Sequence, residues 1–137
     1  VETGAFEAVI THNRYTLIDR SAEPLLEAAS RRGLGISNAA PYGSGILAKG
    51  ADQYPRYRYG QATDAQLAQV RRIEAVCRRH AVPLAAAALQ FSLRDPRVSA
   101  TIIGMSKPER IAETARLATH AIPAALWAEI DTALAGA

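Results

Sequence analysis

Apolar and polar positions along this chain alternate between two periods. Short runs of branched and aromatic residues, suited to a pleated surface, are separated by longer stretches in which apolar residues recur every three or four positions, as on one helix face. The first run, Phe6 to Thr11 (FEAVIT), predicts a strand with His12 at its C-terminal end. Leu25, Leu26 and Ala29 then predict a helix with Ser21 as N-cap, Pro24 in its first turn and Gly33 as its stop. Gly35 to Ala40 (GISNAA) predicts a second strand, which runs into PYGSG, where proline and two glycines forbid continuation as strand or helix. From Gly50 to Ala62 neither period holds, and Tyr54, Pro55, Tyr57 and Tyr59 among polar neighbours predict a long ordered loop.

Thr63 and Gln66 have the spacing of a capping box, and Leu67, Val70, Ile73, Val76 and Cys77 continue at helical spacing as far as His80. Pro83 opens another helix that runs through Leu93 and ends at Asp95-Pro96. Val98 to Ile103 predicts a third strand, and Ser106 with Glu109 repeats the capping-box spacing for a helix reaching about Ala118. A last helix starts at Pro123, with Leu126, Ile130 and Leu134 four residues apart. Each strand is therefore followed by a helical crossover, as parallel β/α architectures require. Three strands are few for a closed parallel sheet, since a complete β/α barrel has eight strands and about 250 residues.

Composition narrows the class without naming a function. At 137 residues, 49% hydrophobic and 21% charged, the chain is expected to be one soluble globular unit. Its longest strongly apolar stretch, Val82 to Leu89, is far short of the roughly 20 residues of a spanning helix, and no basic region leads into an apolar one at the N-terminus. The expectation is a cytoplasmic protein without membrane contact. Cys77 has no disulfide partner, and with three scattered histidines it forms no metal spacing, so it is expected to be a small core residue. The net charge of +3 is concentrated in Arg71, Arg72, Arg78 and Arg79 on one helix. Without interleaved aromatics or a nucleic-acid motif, these are expected to form a solvated face rather than bind nucleic acid.

Parallel β/α sheets bind ligands at the C-terminal ends of their strands, which directs attention to the residues after each one. Ile102 to Thr114 (IIGMSKPERIAET) leads through a glycine turn into a helix N-terminus, whose free N–H groups and dipole favour an anion. Arg110, one turn inside, has a planar fork that can fold over a phosphate, and Ser106 is free to cap or to donate. On the residues alone, a phosphate site and an ordinary capped helix both fit.

This segment resembles the stretch after the last barrel strand of aldo-keto reductases, a strand, a short turn, a proline, an arginine and Glu-Asn; Arg110 and Glu113 match that pattern. THNRYTLIDR (Thr11 to Arg20) resembles that family's sixth strand and NAAPYGSGIL (Asn38 to Leu47) its seventh, in the same order, so the resemblance covers essentially the whole chain. It implies an α/β fold, with residues 1–137 forming a single unit that is the last three β/α units of a (β/α)8 TIM barrel. It also implies a nicotinamide cofactor. His12 stands where relatives hold a glutamine that contacts the nicotinamide carboxamide, and Ala39 where many hold an aromatic ring stacked on the nicotinamide. Asn38-Ala39-Ala40-Pro41 is similar to the aldose dehydrogenase branch. Pro41, Tyr42, Gly43 and Ser44 would pass along the pyrophosphate, glycine permitting close backbone approach and serine donating its hydroxyl.

Gly104 and Met105 stand where many NADP-preferring relatives have lysine and serine, which weakens selectivity for a 2′-phosphate. Arg110 is left to meet that phosphate or to stack on adenine, and Thr114 replaces an asparagine that often reads the adenine edge. The implied cofactor is NAD or NADP, leaning to NAD, with the phosphate cradle formed by Gly104, Met105, Ser106, Arg110, Glu113 and Thr114. The family's catalytic Asp, Tyr, Lys and His belong to earlier strands, and neither Tyr15 nor Lys49 replaces them. The reading is thus the C-terminal portion of an NAD(P)-dependent oxidoreductase acting on aldoses or related carbonyl or alcohol substrates, inactive alone. The alternative is a self-standing truncated barrel that self-associates through exposed strand edges as a binding module.

Overall fold

The computed structural model describes residues 1–135. In chain order they form β1 (Ala8–His12), α1 (Glu23–Arg31), β2 (Gly35–Ala39), a 3-10 turn (Gly43–Gly45) running into α2 (Ile46–Lys49), β3 (Arg56–Tyr57) and β4 (Gly60–Gln61). There follow α3 (Asp64–Arg79), α4 (Leu84–Leu93), β5 (Ala100–Ile102), α5 (Glu109–Ala118) and α6 (Ala124–Ala135). Strands β1, β2 and β5 make a parallel sheet with β2 in the centre, in the register Thr11↔Asn38↔Thr101 and His12↔Ala39↔Ile102. The α/β architecture with crossovers between parallel strands is as expected, and three strands form an open sheet.

Period-two alternation gives this sheet two unlike faces. Thr11, Ile36 and Asn38 are buried on the face covered by helices, whereas on the other face Ile10 is 65% and Ile102 45% exposed. Parallel sheets are ordinarily covered on both faces, so this bare apolar face is a place for further structure to pack. Asn38 belongs to the covered side, where its Nδ2 donates to the Tyr15 carbonyl and to Ser92 Oγ, each at 2.9 Å.

Several local expectations are corrected. Strand β1 begins at Ala8 and β5 spans only Ala100–Ile102, and Phe6 lies outside the ladder, 63% exposed. Ser21 does not cap α1: its N–H donates to Asp19 Oδ1 at 2.9 Å, and the N-cap is Ala22, without a side-chain bond. The PYGSG segment does enter a helix, because positive φ at Gly43 and Gly45 allows a kinked turn into α2. The expected loop between Gly50 and Ala62 contains the β3–β4 hairpin. The capping box at Thr63 and Gln66 is complete, with N–H to side-chain bonds in both directions. The second box is not formed: Pro108 is the N-cap of α5, with its φ preset at −58°, and starts the helix at Glu109 without help from Ser106.

Helix α3 buries Val70, Ile73, Val76 and Cys77 and turns Arg71, Arg78 and Arg79 outward, where Arg71 pairs with Asp52 at 2.8 Å and Arg79 with Glu129 at 2.7 Å; Arg72 of the expected solvated face is instead half-buried, with its Nε out of solvent. Burial, reinforced by nearby Glu74, pushes the Cys77 thiol up to about 11. Cys77 should therefore resist an aromatic disulfide reagent in the native protein and react on denaturation; rapid labelling of the folded chain would refute its core placement. Helix α5 buries no residue fully and is tied to α4 by Gln90, whose Nε2 donates to the carbonyls of Leu117 (2.8 Å) and His120 (2.7 Å). That anchor sets α5 beside the strand ends.

Candidate functional site

Two loops meet at the C-terminal ends of β2 and β5 and enclose adjoining cavities of about 210 and 300 Å³. From the β2 side, Pro41, Tyr42 and Ser44 of the turn and Lys49 of α2 line them, with Tyr54 beyond. From the β5 side come Ile103, Gly104 and Met105, followed by Arg110, Glu113, Thr114 and Leu117. The last four stand at i, i+3, i+4 and i+7, a single face of α5, so helical geometry alone aligns them along one wall.

Two hydroxyls of this site lack protein partners among the described residues. Tyr42 Oη and Ser44 Oγ are buried and make no hydrogen bond among the described residues, although buried hydroxyls are nearly always paired. Ser44 is also left-handed, at φ 64°, a conformation uncommon for a residue with a side chain. Burial raises the Tyr42 phenol pKa and Glu113 adds to the rise, with Arg110 opposing it, so at neutral pH the phenol is a donor. Arg110 on one wall and Lys49 on the other give the cleft two cations; Lys49 Nζ lies 4.7 Å from the centroid of the Tyr54 ring. Unpaired hydroxyls between two cations fit a ligand bearing phosphate oxygens.

Of the residues expected at a cofactor site, this cleft brings together Pro41, Tyr42, Ser44, Gly104, Met105, Arg110, Glu113 and Thr114. Thr114 Oγ1 also reaches Met105 Sδ at 3.7 Å. Three others lie outside its lining. Ser106 is exposed in the bend before α5. Gly43 makes room for a neighbour: a Cβ there would lie 2.6 Å from the Tyr57 ring. His12 sits at the end of β1, where Tyr59 and Asn13 contact its ring. Lys49 and Tyr54 are functional candidates that sequence reasoning missed as pocket residues. The available signal was the apolar ILA run before Lys49, which folds into one helical turn and sets the lysine over the Tyr54 ring.

A sequence profile of the aldo/keto reductase family matches residues 1–135. D-threo-aldose 1-dehydrogenase of a Pseudomonas species is 37% identical over 135 residues, covering 97% of this chain and 41% of that protein. Pyridoxal 4-dehydrogenase of Microbacterium luteolum is 33% identical over 128 residues, covering 93% of this chain and 37% of that protein. The chain thus spans about two fifths of the length of the curated relatives it matches.

Proposed function

Because the chain belongs to the aldo/keto reductase family, we propose that it is the C-terminal, cofactor-cradling portion of an NAD(P)-dependent oxidoreductase acting on aldoses or related carbonyl and alcohol substrates. The observation that carries this reading is the pair of unpartnered hydroxyls, Tyr42 and Ser44, between Lys49 and Arg110. Those two cations would hold the cofactor's phosphates, and Ser44 and Tyr42 would donate to its oxygens. Glu113 and Thr114, on the same face of α5 as Arg110, would meet a hydroxyl or amine. A bound nicotinamide supplies or accepts the hydride. With neither Gly104 nor Met105 able to neutralise a 2′-phosphate, NAD is favoured over NADP.

In this reading the open sheet is the last part of a (β/α)8 barrel, and the rest of the barrel covers the face carrying Ile10 and Ile102. The expected location is the cytoplasm. The test is turnover by the complete polypeptide: aldose-dependent formation of reduced nicotinamide, followed by absorbance, with a higher kcat/KM for NAD than for NADP. Residues 1–137 alone should give none. A complete polypeptide that binds no nicotinamide nucleotide would overturn the proposal. The exposed edges of the open sheet, β1 and β5, would also serve self-association; a concentration-dependent dimer of this chain in sedimentation would favour that second reading.

A further inference from the structure

Two glycines with positive φ bracket α2 and fold the segment after it back over the turn before it. Gly45 (φ +116°) opens the helix. Gly50 (φ +93°) ends it where a side chain would collide with Glu74, a Cβ standing 2.3 Å from Oε1. The reversal is closed by the Tyr54 N–H, which donates to the Gly50 carbonyl at 3.1 Å. It carries the Tyr54 ring back against Gly45, so that a Cβ on Gly45 would lie 3.2 Å from Cε1 and 3.4 Å from Cδ1. Tyr54 is thus half-buried and lines the cavity of about 300 Å³ together with Tyr42, Ser44, Lys49 and Arg110.

Lys49 is exposed and forms no ion pair among the described residues. Asp52, three positions on, is engaged by Arg71 instead, at 2.8 and 3.1 Å. What Lys49 does have is the Tyr54 ring, with Nζ 4.7 Å from the centroid, within the range at which an ammonium is drawn to the negative face of an aromatic ring. A carboxylate partner would order the lysine by cancelling its charge. An aromatic face orders it and leaves the charge uncompensated for an anion. A lysine side chain also loses much rotamer freedom when it binds, and a ring that already holds the ammonium at the cavity reduces that loss.

We propose that Tyr54 is a positioning residue whose ring holds the Lys49 ammonium at the cavity, ordered in advance, to meet a phosphate of a dinucleotide cofactor. This rests on the oxidoreductase reading above and goes beyond it in giving Tyr54 a part that acts only through Lys49.

The test is displacement of reduced nicotinamide cofactor from the complete polypeptide by adenosine 5′-diphosphate and by adenosine. Tyr54→Leu removes the aromatic face but keeps an apolar side chain against Gly45. It should weaken diphosphate binding about two- to fivefold, the ratio for one exposed contact of this kind. Tyr54→Phe keeps the face and should retain the parent's affinity. Adenosine, which carries no phosphate, should bind all three proteins alike. In a Lys49→Met background, Tyr54→Leu should have no further effect, because the two residues act as one unit. The parent's Lys49 ε-methylene protons should also be shifted upfield by the ring, a reading that needs no Tyr54 variant to fold. Unchanged diphosphate binding in Tyr54→Leu overturns the inference, as does an unshifted Lys49 signal. An equal loss in Tyr54→Phe, a loss that persists without Lys49, or an equal loss for adenosine makes Tyr54 merely structural and overturns it too. A complete polypeptide that binds no nicotinamide cofactor removes the underlying reading instead.

Discussion

Replacing Arg97 by alanine should destabilise the fold by about 3–5 kcal/mol, the range for stripping a buried carboxylate of its partner. Arg97 grips Asp95 through its Nε and Nη2, at 3.0 and 2.7 Å to the nearer carboxylate oxygens, and reaches Glu23 on α1 at 2.5 Å. Tyr15 completes the cluster by donating its O–H to Asp95 at 2.5 Å. Three segments are joined there, the turn carrying Tyr15, α1 and the Asp95–Arg97 turn, with the Asp95 side chain only 8% exposed. Lysine at the same place should recover only part of the loss, since a point charge cannot reproduce the guanidinium fork. Hydrogen bonds from Arg97, with Tyr15 adding to them, hold the Asp95 carboxyl down to about 2. Its contribution is therefore complete above the ordinary carboxylate range and is lost as pH falls toward 2. Burial, then Asp95, pushes the Tyr15 phenol up to about 12, so the phenol's contribution is complete below pH 10 and is lost as pH rises through 12. Urea unfolding against pH measures both limbs, and a variant within 1 kcal/mol of the parent would refute the cluster's role.

Gly43→Ala should cost about 2–4 kcal/mol and weaken cofactor binding at least tenfold, from a single methyl group. At φ +54° the backbone is left-handed, and the new Cβ would stand 2.6 Å from Cε2 and 2.9 Å from Cδ2 of Tyr57. Tyr57 cannot swing aside cheaply, because its ring is buried and its hydroxyl is bonded to Asn13 and near Asp19. The turn must move instead, taking Tyr42 and Ser44 with it. Gly104→Ala is the matching control: a Cβ there meets nothing within 4 Å, and stability should be unchanged. Equal behaviour of the two variants in thermal melts would contradict this packing.

The family and the crossovers were legible because each depends on short-range pattern: three strand-end segments in order, and helical spacing from Leu67 to Cys77. The Thr63 capping box was legible for the same reason. Its counterpart at Ser106 was not, because Pro108 starts α5 by fixing its own φ, a local choice that outweighs the spacing of Ser106 and Glu109. Lys49 was not legible as a cleft residue because its place there depends on a single turn of helix hidden behind a glycine-rich run. The pairing of His12 with Tyr59 joins residues 47 positions apart through the β3–β4 hairpin, and no periodicity announces that. The part Gly43 plays in packing depends on the Tyr57 ring beside it, which no local pattern shows.

A nicotinamide-cofactor cradle between the β2 and β5 loops, as proposed, would hold its ligand through two cations and two hydroxyls. Equilibrium titration of the complete polypeptide with reduced nicotinamide cofactor, followed by fluorescence, tests it through Arg110→Ala and Lys49→Ala. Each charge-assisted contact removed should weaken binding about tenfold or more, with thermal stability unchanged because both side chains face the cleft. Parent-like affinity in both variants would contradict the claim.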